Sequence, residues 1–260
     1  MTNRKEAAQG VTMQVAEWVA NLKPEDVPET TRRFLRHAVL DTFGCGLQGR
    51  SQPWTEIAEG WVRAGGGSGV ASVWGDSTAS MRPSDAALVN GVATHAFELD
   101  DFHQTKQHPG AVVVPAALAV GESVDASGEQ LMTAIAAGYE VMIRSAAAIS
   151  AADAKARGWH ITGICGTFGA AAAASVLMGL NTEQTAWALG LAGTQSSGLF
   201  AFTADGAMSK RLHAGQAARS GVAAAELAAA GFTGPTQVYE AVDGGFLWTF
   251  TDSGNHAPLV

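Results

Sequence analysis

Charged residues are scarce in this chain. Asp, Glu, Lys and Arg together make up 15% of its 260 residues, whereas an average globular protein has roughly 25%. Hydrophobic residues make up 47%. This combination excludes intrinsic disorder and predicts a well-buried core. It also indicates that a partner chain covers part of the remaining surface.

Cysteine is rarer still. The two cysteines, Cys45 and Cys165, form no CxxC pair and no other metal-binding spacing. We expect both to be buried, reduced thiols in a cytoplasmic protein. The first residues, Met1 to Glu6, contain no apolar run, so the sequence predicts no secretory leader.

Positive charge is in deficit, with 16 Lys and Arg residues against 24 Asp and Glu residues and a formal net charge of −8. This excess of acid disfavours a nucleic-acid-binding surface. An anionic ligand would therefore need a local basic cluster. One uncharged stretch, residues 162–180, has the length of a membrane span, but Ala, Gly and Thr dominate it. We expect a buried helix there and no membrane association.

Apolar residues recur with helical spacing along nearly the whole chain, as at Val11, Val15 and Trp18. No strand–helix alternation and no repeat is present, so the sequence predicts an all-α fold with one large multi-helix domain. Capping boxes mark helix starts at Ser127 and Asn181, and Ala/Gly runs at 169–174 and 223–230 predict close helix packing. The predicted helices cover residues 11–22, 29–47, 53–64, 85–97, 112–123, 129–149, 166–178, 182–192, 212–230 and 235–242.

Two stretches depart from the helical pattern. Residues 70–74 (VASVW) are typical of a short strand or an extended loop, and we expect no hairpin because no second strand is evident nearby. Residues 44–49 (GCGLQG) match GxGxxG by letter, but a helical segment precedes them instead of a strand, which disfavours dinucleotide binding. We interpret these glycines as left-handed residues at a helix C-terminus.

Residues 98–109 (ELDDFHQTKQHP) hold three carboxylates and two imidazoles directly after an apolar helix. Such groups serve as general acids and bases or as metal ligands. Lys106 lies between His103 and His108, and no standard metal-ligand spacing is present. We therefore favour proton transfer or substrate binding over a metal site, and a solvated polar loop is the remaining alternative.

Two further segments carry candidate site residues at predicted helix starts. His160 precedes an Ala-rich helix, and although a lone histidine is usually structural, an imidazole there can help to bind a carboxylate. Lys210, Arg211 and His213 form the densest basic stretch, where the helix macrodipole disfavours cations. A bound anion would relieve that conflict, and a solvated helix face is the alternative.

If these segments meet, they form a positive pocket with a carboxylate beside it, supplied by Glu98, Asp100 or Asp101. Such a pocket suits a lyase or an isomerase that acts on a small polycarboxylate. Its cations would bind the substrate carboxylates while a base removes a proton next to one of them. This chemistry requires no cofactor.

Several motifs together resemble the MmgE/PrpD family, in order from about Val15 to Phe246. They are LDTFG (40–44), NGVATHAFELDD (90–101), HPGA (108–111), GWHITG (158–163), KRLHAGQAA (210–218) and GFTGP (231–235). The family includes 2-methylcitrate dehydratase, cis-aconitate decarboxylase and iminodisuccinate epimerase. The resemblance implies a homodimer and metal-free chemistry on a small anionic substrate. It also implies a helical domain over residues 1–245 and a tail, 246–260, where a second α+β domain would begin but is absent.

The resemblance also assigns site residues. His108 and Lys210 would hold substrate carboxylates, while His160 and Glu98 are candidates for proton transfer. Glu98 falls where many members have aspartate. The predicted catalytic residues are thus His108, His160, Lys210 and Glu98, and the predicted substrate-binding residues are Asp101, His103, Arg211 and His213.

Dehydration like that of 2-methylcitrate dehydratase is the reaction that we predict first. Phe102 stands where the decarboxylase subgroup has a hydroxyl residue, which disfavours cis-aconitate decarboxylation. Epimerisation or decarboxylation within the same family remains an alternative. So does a non-catalytic helical module that dimerises or binds a separate C-terminal chain, and a metal hydrolase is a distant third.

Overall fold

The computed structural model describes residues 10–78 and 80–260. Within this range there are eleven α-helices and one two-stranded sheet, which confirms the predicted all-α fold. The first residues, on which the leader prediction depends, lie outside the described range. The elements are α1 Val11–Asn21, α2 Glu29–Gly49, α3 Pro53–Ala64, β1 Ala71–Ser72, β2 Ser80–Met81, α4 Pro83–Thr94, α5 Gly110–Ser123, α6 Gly128–Ala148, α7 Ala151–Ala156, α8 Ile161–Leu177, α9 Thr182–Gly193, α10 Ser209–Ala229 and α11 Phe246–Thr249.

Helix α8 is the centre of the core, with every residue from Ile161 to Ser175 buried. Its Ala and Gly side chains let α6 and α10 pack closely against it. A Cβ atom added at Gly221 of α10 would lie 2.4 Å from the Cβ of Ala170. This confirms both the small-residue seam and the buried helix predicted here. None of the helices in the described part of the chain is long and apolar enough to cross a bilayer.

The predicted helix starts at capping boxes are confirmed, because Ser127 and Asn181 each accept a hydrogen bond from the backbone N–H three residues later. Four helix ends near the candidate site residues differ from the prediction. Helix α4 ends at Thr94, and α5, α8 and α10 begin two to five residues earlier than the periodicity predicts. These shifts place the candidate site residues directly at helix ends.

The prediction that residues 70–74 have no partner strand is wrong. β1 pairs with β2 in antiparallel register, Ala71 opposite Met81 and Ser72 opposite Ser80. Each strand has two residues, too few for an alternating pattern to be recognised. Asn90 of α4 fixes the hairpin, since its side chain accepts from the Trp74 N–H at 3.0 Å and donates to the Ser72 carbonyl at 2.9 Å.

The glycines at 44–49 do not adopt left-handed conformations, so that interpretation is wrong. Helix α2 continues through them to Gly49. Their function is close packing: a Cβ atom at Gly46 would lie 2.5 Å from the Trp74 ring, and one at Gly49 would lie 1.9 Å from the Ala93 carbonyl oxygen. The segment is therefore the contact of α2 with α4, not a nucleotide loop.

The helix predicted at 235–242 is replaced by turns. Its backbone groups bond to distant partners instead: the Tyr239 N–H donates to Thr12 Oγ1 at 3.2 Å, and the Val238 carbonyl accepts from the Phe246 N–H at 2.8 Å. The residues after 245 pack on the helical core, where the Phe246 ring lies 4.9 Å from that of Phe168. The division of the chain at residue 245 remains a prediction.

The two cysteines differ in exposure. Cys165 is fully buried, and this burial raises the pKa of its thiol. Cys45 is only partly buried, contrary to the prediction. Burial and the Asp41 carboxylate raise the pKa of Cys45 to about 11. Both thiols are free, and neither is a reactive thiolate.

Candidate functional site

Four helix ends meet at one place in the fold. His95 follows the last residue of α4, His108 lies two residues before α5, and His160 directly precedes α8. Lys210 lies in the first turn of α10. Three of these ends are helix N-termini, whose partial positive charge favours an anion nearby. The site thus has an electrostatic preference for anionic ligands before any side chain is considered.

Asp100 is the buried centre of this cluster, with 3% of its surface exposed. Its Oδ2 atom lies 3.0 Å from Nδ1 of His95 and 3.2 Å from Nδ1 of His108. Burial alone would raise the pKa of Asp100, but the imidazoles of His108 and His95 outweigh it and lower the pKa to about 2. Asp100 is therefore a carboxylate at neutral pH.

His108 is the imidazole of the site whose pKa is raised. Burial acts to lower its pKa, but the adjacent Asp100 carboxylate raises the pKa above its ordinary value. Because Nδ1 of His108 faces Asp100, the other ring nitrogen, Nε2, remains for a ligand. His108 can therefore pair with a substrate carboxylate or donate a proton.

His160 and His213 form a neutral pair. Their Nδ1 atoms lie 3.0 Å apart, so one ring donates and the other accepts. Burial and the nearby cations lower the pKa of His160 to about 2 and that of His213 to about 4. The His160 ring also lies 6.2 Å from that of His95. The pair with lowered pKa values thus lies beside the His95–Asp100–His108 group, in which the pKa of His108 is raised.

Glu98 occupies the cationic end of α10. Its carboxylate pairs with the Lys210 ammonium and lies 3.9 Å from the Arg211 guanidinium. Although burial opposes it, the Lys210 contact lowers the pKa of Glu98. Glu98 also has a left-handed backbone, with φ of 56°, a conformation that costs a non-glycine residue free energy. Within the free chain, Glu98 supplies the anion that this basic helix start requires.

Aromatic rings border the imidazoles. The Phe102 ring lies 5.2 Å from that of His108, and Phe202 lies 5.6 Å from His160 and 5.7 Å from Lys210 Nζ. Phe102 is 65% exposed. These apolar rings reduce the access of water and strengthen the charge interactions among the groups they border.

Two of the predicted site residues make their hydrogen bonds outside the imidazole cluster, which consists of His95, His108, His160 and His213. Asp101 accepts hydrogen bonds from the Gly110 N–H at 2.8 Å and from the Tyr139 hydroxyl at 2.9 Å; its burial raises its pKa. It fixes the start of α5 and thereby the position of His108. His103 lies in the turn before His108, with its Nδ1 2.8 Å from the hydroxyl of Thr105.

The sequence analysis missed His95 and left the role of Asp100 open. The structure brings together Glu98, His108, His160, Lys210, Arg211 and His213, with His95 and Asp100 beneath them. His95 belongs to the motif NGVATHAFELDD, but a histidine at the end of an apolar helix gave no separate signal. Its role depends on contacts that only the folded chain shows.

A metal ion is geometrically compatible with part of this site. Among the described residues, His95, Asp100 and His108 are all buried, and each offers a potential ligand atom within 4.8 Å of the others. The same atoms also contact one another, without an ion, in the pairs described above. The expectation that the chain uses no metal and no cofactor therefore remains a prediction.

Relatives with assigned activities are similar to this chain. It is 36% identical over 256 residues to the cis-aconitate decarboxylase-like protein oryM of Aspergillus oryzae, covering 95% of this chain and 53% of that protein. It is 32% identical over 258 residues to cis-aconitate decarboxylase of Aspergillus terreus, covering 97% and 52%. The human cis-aconitate decarboxylase is 31% identical over 240 residues, covering 91% and 49%. The chain therefore spans about half the length of these relatives.

A family model agrees with these similarities and with the resemblance noted in the sequence. The MmgE/PrpD N-terminal domain matches residues 13–257, which include all the helices from α2 to α11 and every residue of the imidazole cluster. The chain belongs to the MmgE/PrpD family.

Proposed function

We propose that this chain is the substrate-binding and proton-transferring part of a lyase that decarboxylates cis-aconitate or a closely related unsaturated tricarboxylate. One observation carries the proposal: His108, whose pKa is raised, and the His160–His213 pair, whose pKa values are lowered, lie together with the cations of α10 where the helix ends meet. The names of the relatives favour decarboxylation over the dehydration that the sequence analysis placed first. The chain spans about half the length of those relatives. That this half carries their decarboxylase activity is therefore itself part of the proposal.

Substrate binding begins with an exchange of anions. Lys210 and Arg211 are already paired with Glu98, so a substrate carboxylate must take over those contacts. Glu98 is partly exposed, so its side chain can exchange Lys210 for water when a substrate carboxylate binds. The helix N-termini and His108 offer positions for the other carboxylates.

Decarboxylation of such a substrate needs an acid that protonates one of its carbon atoms. The C–C bond to the departing carboxylate breaks, and its electron pair forms a new double bond with the adjacent carbon. The electron pair of the former double bond then takes a proton from Nε2 of His108 at the far carbon, so that CO2 and an unsaturated dicarboxylate result. His108 regains its proton from solvent. The raised pKa of His108 increases its protonated fraction, which favours its use as the acid in this step.

Dehydration is the second candidate, and the neutral His160–His213 pair favours it. A neutral imidazole can remove the proton next to a carboxylate, while His108 protonates the departing hydroxyl group. Epimerisation would use the same base without the loss of a group. Phe102, where the sequence analysis expected a hydroxyl residue in a decarboxylase, lies against His108 and supports this second reading.

The first experiment is proton NMR of the purified chain in deuterated buffer with EDTA. The panel holds cis-aconitate, 2-methylcitrate, citrate and iminodisuccinate. We expect loss of CO2 from cis-aconitate with one deuteron incorporated into the product. Turnover of 2-methylcitrate alone would replace decarboxylation by dehydration. No turnover and no calorimetric binding of any of the four by folded protein would refute the proposal for this chain.

Lys210→Ala tests the assignment within the site. We expect loss of turnover and a melting temperature nearly unchanged, because a partly exposed ion pair contributes only about 0–1 kcal/mol. Lys23→Ala, at an exposed lysine outside the site, is the matched control and should keep full activity. Undiminished turnover in the Lys210 variant would contradict the binding model.

The predicted partners are also proposals. A homodimer, or a complex with a separate C-terminal chain, would cover exposed apolar side chains such as Leu40, Ile57 and Trp61. Light scattering measures the mass directly. A folded monomer at all concentrations would contradict the homodimer, and the cytoplasmic location remains a prediction.

A further inference from the structure

His95 is the most deeply buried group of the site. None of its surface is exposed, so it cannot touch a ligand in the pocket. Its Nδ1 atom nevertheless contacts both carboxylate oxygens of Asp100, at 3.2 Å and 3.0 Å. Any role of His95 in the chemistry must therefore act through Asp100.

Asp100 connects His95 to His108. Its Oδ2 atom is shared by the Nδ1 atoms of both rings, and the ring centres lie 4.6 Å apart. A carboxylate only accepts hydrogen bonds, so Nδ1 of His95, which bonds to it, carries a hydrogen atom. Nδ1 of His108 lies within ion-pair distance of the same carboxylate but is not aligned for a hydrogen bond. The arrangement places Nδ1 of His108 toward Asp100 and leaves Nε2 on the side of the ring away from it.

We propose that His95 is a positioning residue that orients the Asp100 carboxylate, and that this orientation holds His108 with Nδ1–H toward Asp100 and with Nε2 toward the ligand. The catalytic meaning of this inference rests on the proposed function, whereas the contacts among His95, Asp100 and His108 do not depend on that function. Without the His95 donor, the orientation of the buried carboxylate is no longer fixed, and Asp100 loses the geometry that pairs it with His108.

Other charges around His108 do not replace this contact. His108 is also influenced by Lys210 of α10, by His160 before α8 and by Asp101. Lys210 opposes protonation of His108. Asp101 is held by Gly110 and Tyr139. Asp100 is thus the carboxylate whose orientation decides the state of His108.

The test compares two variants of the full chain by nitrogen-detected NMR titration of the histidine rings, with EDTA and without substrate. His95→Leu removes the donor, and His95→Asn keeps an N–H donor near the position of Nδ1. We expect the pKa of His108 to fall toward its ordinary value in His95→Leu and to stay near the wild-type value in His95→Asn. An unchanged titration of His108 in folded His95→Leu would overturn the inference.

A measurement on the wild-type chain covers the case in which His95→Leu fails to fold. The proposal requires directly bonded hydrogen on Nδ1 of both His95 and His108 in the ring spectra. A spectrum that shows hydrogen on Nε2 but not on Nδ1 of His108 would overturn the proposal. A shift of these signals when EDTA is added would also overturn it, because a metal ion would then hold the rings. These readouts need no turnover, so a silent substrate panel would refute only the proposed reaction.

Discussion

Gly215 lies where α10 crosses α4, and we predict that Gly215→Ala destabilises the fold and damages the site together. A Cβ atom at Gly215 would lie 2.3 Å from the Leu88 carbonyl oxygen and 2.7 Å from Cγ2 of Val92. Ordinary carbon–oxygen contacts are about 3.3 Å, so the two helices would have to separate by about 1 Å. Leu88 belongs to a fully buried part of α4, and its backbone oxygen cannot rotate away.

The expected cost can be worked out from opposing effects. Overpacking a core costs about 1–3 kcal/mol, and a clash with backbone belongs at the upper end of that range. Alanine is favoured over glycine in a helix by about 1 kcal/mol. We therefore expect a net loss of about 2 kcal/mol in the free energy of unfolding. Because α10 carries Lys210 and His213 while α4 leads to His95, a shift of about 1 Å should also lower turnover about 100-fold.

Gly60→Ala is the matched control, since the same methyl group there meets nothing within 4 Å on the exposed side of α3. It should leave activity unchanged and raise stability by up to about 1 kcal/mol. Urea unfolding of both variants should thus differ by about 3 kcal/mol between them. A Gly215→Ala protein as stable as Gly60→Ala would refute the close helix crossing.

Two further predictions concern buried polar groups, and a third concerns the exposed Phe102 ring beside His108. The pKa of His160 is about 2 in the folded chain, so as the pH falls the unfolded chain binds a proton before the folded chain does. The free energy of unfolding should therefore decrease as the pH drops below about 6.5. The urea midpoints measured at pH 7 and at pH 5 should differ less in His160→Asn than in the wild type. Thr12→Val removes the 2.6 Å hydrogen bond to the buried Glu240 and should cost about 2 kcal/mol by thermal unfolding. Phe102→Thr, at a 65% exposed position, should leave the melting temperature within about 2 °C and raise the ratio of decarboxylation to dehydration measured by NMR.

The first two of these predictions each have a control that makes the same chemical change at an exposed position. His37→Asn should leave the pH dependence of stability as in the wild type, and Thr30→Val should leave the free energy of unfolding nearly unchanged. A steep acid loss that persists in His160→Asn would show that other groups cause it. A Thr12→Val protein as stable as Thr30→Val would mean that Glu240 finds another partner.

Local signals in the sequence were sufficient for most of the helices. The capping boxes at Ser127 and Asn181 and the apolar spacing of α1 predict helices whose ends are fixed by bonds within a few residues. The prediction fails at 235–242, because backbone groups there bond to Thr12 and to the returning chain near Phe246. No local pattern records a partner more than 200 residues away.

The residues of the candidate site also differ in whether a local sequence signal identifies them. His108, His160 and Lys210 stand out in the sequence because polar groups are dense around them in a chain poor in charge. His95 does not, because its importance depends on α4 ending at Thr94, three residues before the predicted end, and on Asp100 turning back beneath it. A single histidine beside alanine is indistinguishable from a core residue until that turn is seen.

His108, His160 and His213 have chemically identical side chains, so the differences between their pKa values must come from their positions. His108 has the Asp100 carboxylate at 3.2 Å and a raised pKa, whereas His160 and His213 face each other, lie near Lys210 and have lowered pKa values. A helix N-terminus by itself disfavours an imidazolium, so the raised pKa before α5 requires a carboxylate, and the lowered pKa before α8 follows where no carboxylate is in contact. One buried aspartate beneath one of several helix N-termini thus separates the pKa values of neighbouring imidazoles in the direction that acid and base roles require.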